Sequence, residues 1–182
     1  MTDLSNGYER VAAVRDWARA LPGRAAVIDV GCGSGLPITK VLLSEGLNVY
    51  AIDAAPSLIE AFRHNLPETL VACESVEDAS FFNRMFDGVL AWGLIFLLLP
   101  EAQRSLIRRM ADILVPGGRL LFTSPAEPVV WNDAMTGLES RSLGAAEYRR
   151  LLSAGGISVS SEYEDEGQNH YFDSFKRRCR QQ

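Results

Sequence analysis

At 182 residues, with 47% hydrophobic and 23% charged, the chain has the size and balance of one compact domain rather than a disordered or fibrous protein. A formal net charge of −5 argues against a nucleic-acid partner, because phosphate backbones are held by surplus Lys and Arg. Cys32, Cys73 and Cys179 lie far apart, with only His64 and His170 as other soft ligands, so neither a disulfide framework nor a metal site is expected.

The first residues carry no basic start followed by an apolar stretch, so no secretory signal is expected and the cytoplasm is the default location. The longest apolar run, residues 89–99, is eleven residues, short of the roughly 20 needed to span a bilayer.

Residues 8–20 place Val11, Val14, Trp17 and Ala18 at helical spacing before Pro22-Gly23 ends the segment. Residues 25–30 form a short, nearly wholly apolar run closed by glycines, as expected of a parallel strand covered on both faces. A helix over 37–47 with a glycine stop follows, then a strand at 48–53, a helix at 56–65 and strands at 69–73 and 86–92. A helix at 101–114 and a strand at 119–123 continue the alternation. Residues 124–142, containing Pro and Trp, separate them from a helix at 145–154 and two β-rich runs at 157–163 and 169–175. The pattern predicts an α/β fold: a doubly wound, mostly parallel seven-stranded sheet, helices on both faces and an antiparallel C-terminal hairpin, in one domain over 1–182. The basic run Lys176-Arg177-Arg178 with Arg180 reads as a solvated tail.

The strand at 25–30 runs into Asp29-x-Gly31-x-Gly33-x-Gly35 and then a helix. Glycines there let the backbone turn sharply and lie against a ligand beside a helix N-terminus. A second strand follows and ends in Asp53, where a carboxylate can accept the ribose hydroxyls of an adenosine. The dinucleotide fingerprint requires its third glycine where this chain has Leu36, which disfavours a nicotinamide cofactor.

Residues 27–35 resemble motif I of the class I, Rossmann-like S-adenosylmethionine-dependent methyltransferases, and the resemblance extends over 8–176. Asp53, followed by Ala54, matches the family's ribose-binding acid. Residues 73–78 match its adenine segment, with Ser75 and Val76 at the adenine positions and Glu74 as an alternative. Phe86-Asp87-Gly88-Val89 and Val115-Pro116-Gly117-Gly118 resemble the opening of the family's fourth strand and the turn before its fifth. The resemblance implies S-adenosyl-L-methionine as cofactor, bound by Asp29, Gly31, Cys32, Gly33, Gly35, Asp53, Ala54, Ser75 and Val76. It adds Tyr8 from the first helix and Trp92 at the end of the fourth strand, Trp92 serving the sulfonium or simply the core.

Many relatives place a His or an acidic pair just after that strand, whereas Trp92-Gly93-Leu94-Ile95-Phe96-Leu97 has no ionisable side chain. An apolar floor favours a hydrophobic or aromatic acceptor, with Phe96 among its contacts. Residues 124–143, beyond the fifth strand, read as a partly ordered lid in which Trp131 and Asn132 contact substrate and Asp133 is the candidate base. Trp131 alternatively packs the lid onto the core. His170 reads as an exposed strand residue and His64 as solvated. A small-molecule methyltransferase is the leading expectation. The alternatives are action on RNA or protein, or a non-catalytic S-adenosylmethionine-binding or interaction module.

Overall fold

The structure is a computed structural model describing residues 4–134 and 136–178, with residues 4–10 described through their backbone alone. In chain order the elements are α1 (Leu4–Arg19), β1 (Ala26–Val30), α2 (Ile38–Ser44), β2 (Asn48–Asp53), α3 (Pro56–Asn65) and β3 (Leu70–Cys73). They continue with β4 (Phe86–Ala91), α4 (Pro100–Ile113), β5 (Leu114–Thr123), β6 (Val129–Asn132), β7 (Glu139–Ser142), α5 (Ala145–Ala154), β8 (Ile157–Glu164) and β9 (His170–Lys176).

Seven strands form one sheet in the order β3-β2-β1-β4-β5-β9-β8, all parallel from β3 through β5 and antiparallel at β9 and β8, as the sequence predicts. Strand alternation separates two cores. Val27, Val49, Leu90 and Leu121 join Val14, Trp17, Val41 and Leu42 under α1 and α2. Ile28, Val89, Leu120 and Phe122 join Leu106, Ile107, Tyr148 and Leu152 under α4 and α5. Burying a side chain of this kind contributes on the order of 1.5–3 kcal/mol, so the two apolar faces hold the helices on both sides.

Three local readings change. The helix after the glycine loop runs only from Ile38 to Ser44, because Gly46 at φ 78° turns the chain into β2. Strand β5 begins at Leu114, and its pairing jumps from Phe86↔Leu114 to Gly88↔Arg119, which loops out Pro116-Gly117-Gly118. A Cβ on Gly118 would lie 2.9 Å from the carbonyl oxygens of Asp87 and Val115, so that loop needs glycine. The expected lid is ordered instead: β6 and β7 form a separate antiparallel hairpin. Its strands, each only four residues long, fall below the length at which period-two patterning is legible.

The sheet order reverses at β1, which has β2 on one side and β4 on the other. In an open α/β sheet the carboxyl ends at that reversal form a crevice.

Candidate active site

The loop after β1 is bound tightly to the end of β2. Gly31 and Cys32 both donate backbone N–H bonds to the Ile52 carbonyl (2.9 and 3.0 Å), and Gly33 N–H donates to Asp53 Oδ2 at 2.9 Å. The glycines differ in what they do. Gly33 has φ 57° with nothing within 4 Å of a would-be Cβ, so it leaves open space for a ligand against its backbone. A Cβ on Gly35 would sit 2.7 Å from Leu66 Cδ1 and 2.8 Å from Phe62 Cδ2, so Gly35 lets α3 close on the loop. A cleft of about 200 Å³ lies here, lined by Asp29, Gly31, Cys32, Gly33, Ser34, Leu36, Pro37, Ile38 and Trp92. Ser34 belongs to the glycine loop itself, whereas sequence reasoning missed Leu36, Pro37 and Ile38, whose only signal was adjacency to the glycines.

Asp29 is 2% exposed. Burial pushes its carboxyl up to about 7; the 2.6 Å hydrogen bond from the Thr39 hydroxyl opposes this and the nearby Asp53 charge adds to it. Burial also pushes the Cys32 thiol up, which removes it as a nucleophile. Asp53 accepts from Ala55 N–H through Oδ1 at 2.9 Å and from Gly33 N–H through Oδ2, so both oxygens are fixed beside the glycine loop and roughly two of the four acceptor sites of a carboxylate stay open. Beside it, the Ala54 carbonyl accepts from the Cys73 thiol at 3.8 Å.

In the segment after β3, residues 73–78, the side chains serve the loop itself. The Ser75 hydroxyl and Asp78 bond each other (3.2 and 3.3 Å), and Glu74 accepts from Ser80 N–H at 2.8 Å. Val76 is buried. Arg109, from α4, donates to the carbonyls of Val76, Glu77 (2.8 Å) and Ala79. Nothing in local patterning pointed to Arg109, because it lies on a different element. Trp92 borders the cleft, and its indole N–H donates to the Tyr171 hydroxyl at 3.1 Å, which donates in turn to Asp165 at 2.9 Å. Trp92 therefore both lines the cleft and is anchored to the C-terminal hairpin. Tyr8 lies in α1, and its side chain falls outside the described residues.

A second cleft, of about 230 Å³, is lined by Phe96, Thr123, Ser124, Pro125, Trp131, Asp133, Gln168, Asn169 and His170. The rings of Phe96 and Trp131 meet at 5.4 Å and 46°. Asp133 Oδ1 accepts from the backbone N–H (2.8 Å) and hydroxyl (2.9 Å) of Thr136, closing the hairpin turn. Asn132 is exposed and does not line this cleft, because side chains along β6 alternate and Trp131 takes the inward face. His170 departs from its reading as an exposed residue: its side chain is 12% exposed, with Nε2 3.0 Å from Glu162 and Nδ1 3.4 Å from Glu164. It reaches the cleft because β9 pairs with β5, where Ser124 N–H donates to the His170 carbonyl at 3.1 Å. His64 stays exposed, as the sequence predicts, and Cys179 and Arg180 lie outside the described residues.

The two clefts flank the segment after β4. Trp92 lines the first and Phe96 the second, and Gly93 N–H between them donates to the Thr123 hydroxyl at 2.8 Å.

This sheet order, with a glycine loop after β1 and an acid closing β2, defines a Rossmann-like α/β protein with its crevice at the carboxyl ends of the strands. Residues 27–118, just over half of the chain, match the methyltransferase domain family, and the chain belongs to it. Aklanonic acid methyltransferase DauC of Streptomyces sp. strain C5 is 39% identical over 109 residues, covering 54% of this chain and 47% of the relative. The ubiquinone biosynthesis O-methyltransferase of Xanthomonas campestris pv. campestris is 37% identical over 126 residues, covering 66% of this chain and 51% of the relative. The chain thus spans about half the length of the curated relatives it matches. Among solved structures, the magnesium protoporphyrin IX methyltransferase ChlM of Synechocystis with bound SAH superposes with TM-score 0.77 over 96% of this chain and 85% of that one, at 17% identity, a likeness of fold. Among the described residues no helix is long and apolar enough to cross a membrane.

Proposed function

We propose that this chain is an S-adenosylmethionine-dependent methyltransferase acting on a small hydrophobic or aromatic molecule. The observation that carries the reading is the pair of clefts on either side of the 92–96 segment, one over an open glycine backbone and the other walled on one side by the packed rings of Phe96 and Trp131. The first fits the cofactor: the space a Cβ on Gly33 would fill is empty, and the carboxylate of Asp53 is held by the N–H of that same glycine. There Asp53 would accept the ribose hydroxyls, Val76 and Ser75 would border the adenine, and Asp29 and Trp92 would face the cationic end. The cofactor, when bound, supplies an electrophilic methyl group on a sulfonium. The protein's own part is positioning, since holding two reactants in near-attack geometry lowers the barrier without any covalent help.

Small acceptors suit the second cleft, and the names of the relatives, an aklanonic acid methyltransferase and a ubiquinone biosynthesis O-methyltransferase, support acceptors of that kind. The reading includes a cytoplasmic setting and no nucleic-acid partner, in keeping with the net charge of −5. It is tested by calorimetric titration with S-adenosylmethionine, S-adenosylhomocysteine and NAD, repeated on Asp53→Ala and on Asp53→Asn, which keeps an acceptor for Ala55 N–H. Binding of both sulfur ligands, weakened in both variants, with none of NAD, is the expected result. Failure to bind either sulfur ligand overturns the methyltransferase reading and leaves a family fold used as an interaction module.

A further inference from the structure

One hydrogen-bonded chain runs from the wall of the first cleft to the wall of the second. The Trp92 indole N–H donates to the Tyr171 hydroxyl at 3.1 Å, and that hydroxyl donates to Asp165 Oδ2 at 2.9 Å. Asp165 in turn accepts from Asn169 three times, from its backbone N–H (2.9 Å) and from its amide nitrogen on both carboxylate oxygens (3.0 and 2.9 Å). Trp92 lines the first cleft and Asn169 the second.

The groups themselves dictate the direction of every bond. An indole only donates and a carboxylate only accepts, so the hydroxyl between them must accept from one and donate to the other. Burial pushes the Tyr171 phenol up, so it keeps the proton that the chain requires. The ring that carries this hydroxyl is held as well. Tyr171 is buried, pairs with Thr123 of β5 on one side and Tyr163 of β8 on the other, and stacks on the Tyr163 ring at 4.9 Å and 9°. Asp165 and Asn169 close the turn between β8 and β9, where Asp165 N–H donates to the Asn169 carbonyl at 3.1 Å. A satisfied polar network in a low-dielectric interior is stiff, so the indole and the turn are joined through one hydroxyl.

We propose that Tyr171 is a positioning residue for both clefts: it sets the Trp92 ring in the first and, through Asp165, Asn169 in the second, so that a cofactor held in one preorganises the other. This rests on reading the first cleft as the cofactor site. A ligand that stills Trp92 also stills the chain beyond it, so the second ligand meets a wall already ordered and binds more tightly. By reciprocity the methyl acceptor raises cofactor affinity by the same factor.

The test follows the Trp92 ring and the turn separately, with S-adenosylhomocysteine as the probe. Protein carrying fluorotryptophan reports the ring by fluorine NMR, the Trp92 signal being assigned by its loss in Trp92→Phe, and hydrogen exchange reports the amides of residues 165–170. In the parent the probe is expected to shift the Trp92 signal and to slow exchange in the turn. Tyr171→Phe keeps the stacked ring and removes both bonds of the hydroxyl. It should move the Trp92 signal before any ligand is added, weaken probe binding about three- to tenfold and abolish the slowing. Asp165→Asn puts a donor where Tyr171 and Asn169 both donate, so it should also abolish the slowing, and it serves as the test if Tyr171→Phe folds poorly. Tyr163→Phe leaves the chain intact and should behave as the parent. A parent-like Trp92 signal in Tyr171→Phe, or slowing in the turn that is absent from the parent or survives in either variant, overturns the inference. If the probe does not bind the parent, the cofactor reading falls, and the Trp92 signal of unliganded Tyr171→Phe still decides whether the hydroxyl positions the ring.

Discussion

Asp29 lies on β1 at the first cleft, and its environment makes folding depend on pH in a definite direction. The folded carboxyl titrates near 7 because burial disfavours its charged form, against an ordinary value of 3.8. Between those values the folded state holds a proton that the unfolded state has released, so stability falls as pH rises. The contribution is complete below about pH 4 and lost through about pH 7, a change of roughly 4 kcal/mol if the shift is realised in full. Asp29→Asn keeps an acceptor for the Thr39 hydroxyl and removes the charge. The difference in unfolding free energy between variant and parent, measured by urea denaturation, should therefore move in the variant's favour between about pH 5 and pH 8. A constant difference across that window would show that Asp29 ionises normally.

Between β3 and β4 the segment proposed to border the adenine is shaped by another element. From α4 the Arg109 guanidinium donates to the backbone carbonyls of Val76, Glu77 and Ala79 and lies 4.7 Å from the centre of the Phe81 ring. It holds the segment against a left-handed turn in which Phe81, Phe82 and Asn83 take φ of 47°, 55° and 50°. Such a conformation costs an L-residue roughly 1–2 kcal/mol, so the turn needs outside support. Arg109→Leu is expected to leave three carbonyls without this donor, two of them in part-buried bonds, lower stability by about 1–3 kcal/mol and speed amide exchange across residues 75–84. Arg109→Lys should restore only part of this, since one ammonium cannot reproduce the planar fork. Exchange rates unchanged in both variants would remove Arg109 from that role. The sequence marked residues 73–78 as a binding segment from their place after a strand, but its clamp comes from a helix that no local pattern connects to it.

At the scale of the whole molecule, a buried polar knot joins the parts that enclose the second cleft. The Tyr148 hydroxyl, on α5, donates to Gln103 on α4 at 2.7 Å, lies 2.9 Å from Ser124 beyond β5 and accepts from Leu143 N–H at 3.1 Å. The Gln103 amide donates to the carbonyls of Leu98 and Arg141, both at 2.9 Å. The segment bearing Phe96 and the hairpin bearing Trp131 and Asp133 are thereby tied to one point. Tyr148→Phe should cost about 1–3 kcal/mol and speed amide exchange in residues 129–142, while S-adenosylmethionine affinity stays at the parent level. Slow exchange retained in the hairpin would mean that its position does not depend on the knot. What the sequence determined by itself was whatever repeats or turns locally: the order of helices and strands from their periods, the glycine loop from its φ requirement, and Asp53 from its place at a strand end. Only the tertiary structure decided which strands are neighbours. The insertion of β9 between β5 and β8 carried His170 and Asn169 to the end of β5, and the pleat of a short hairpin turned Trp131 inward and Asn132 outward. A one-dimensional period reports the face a residue takes on its own element, whereas cleft walls are set by contacts between residues far apart in the chain, and those exist only once the sheet has assembled.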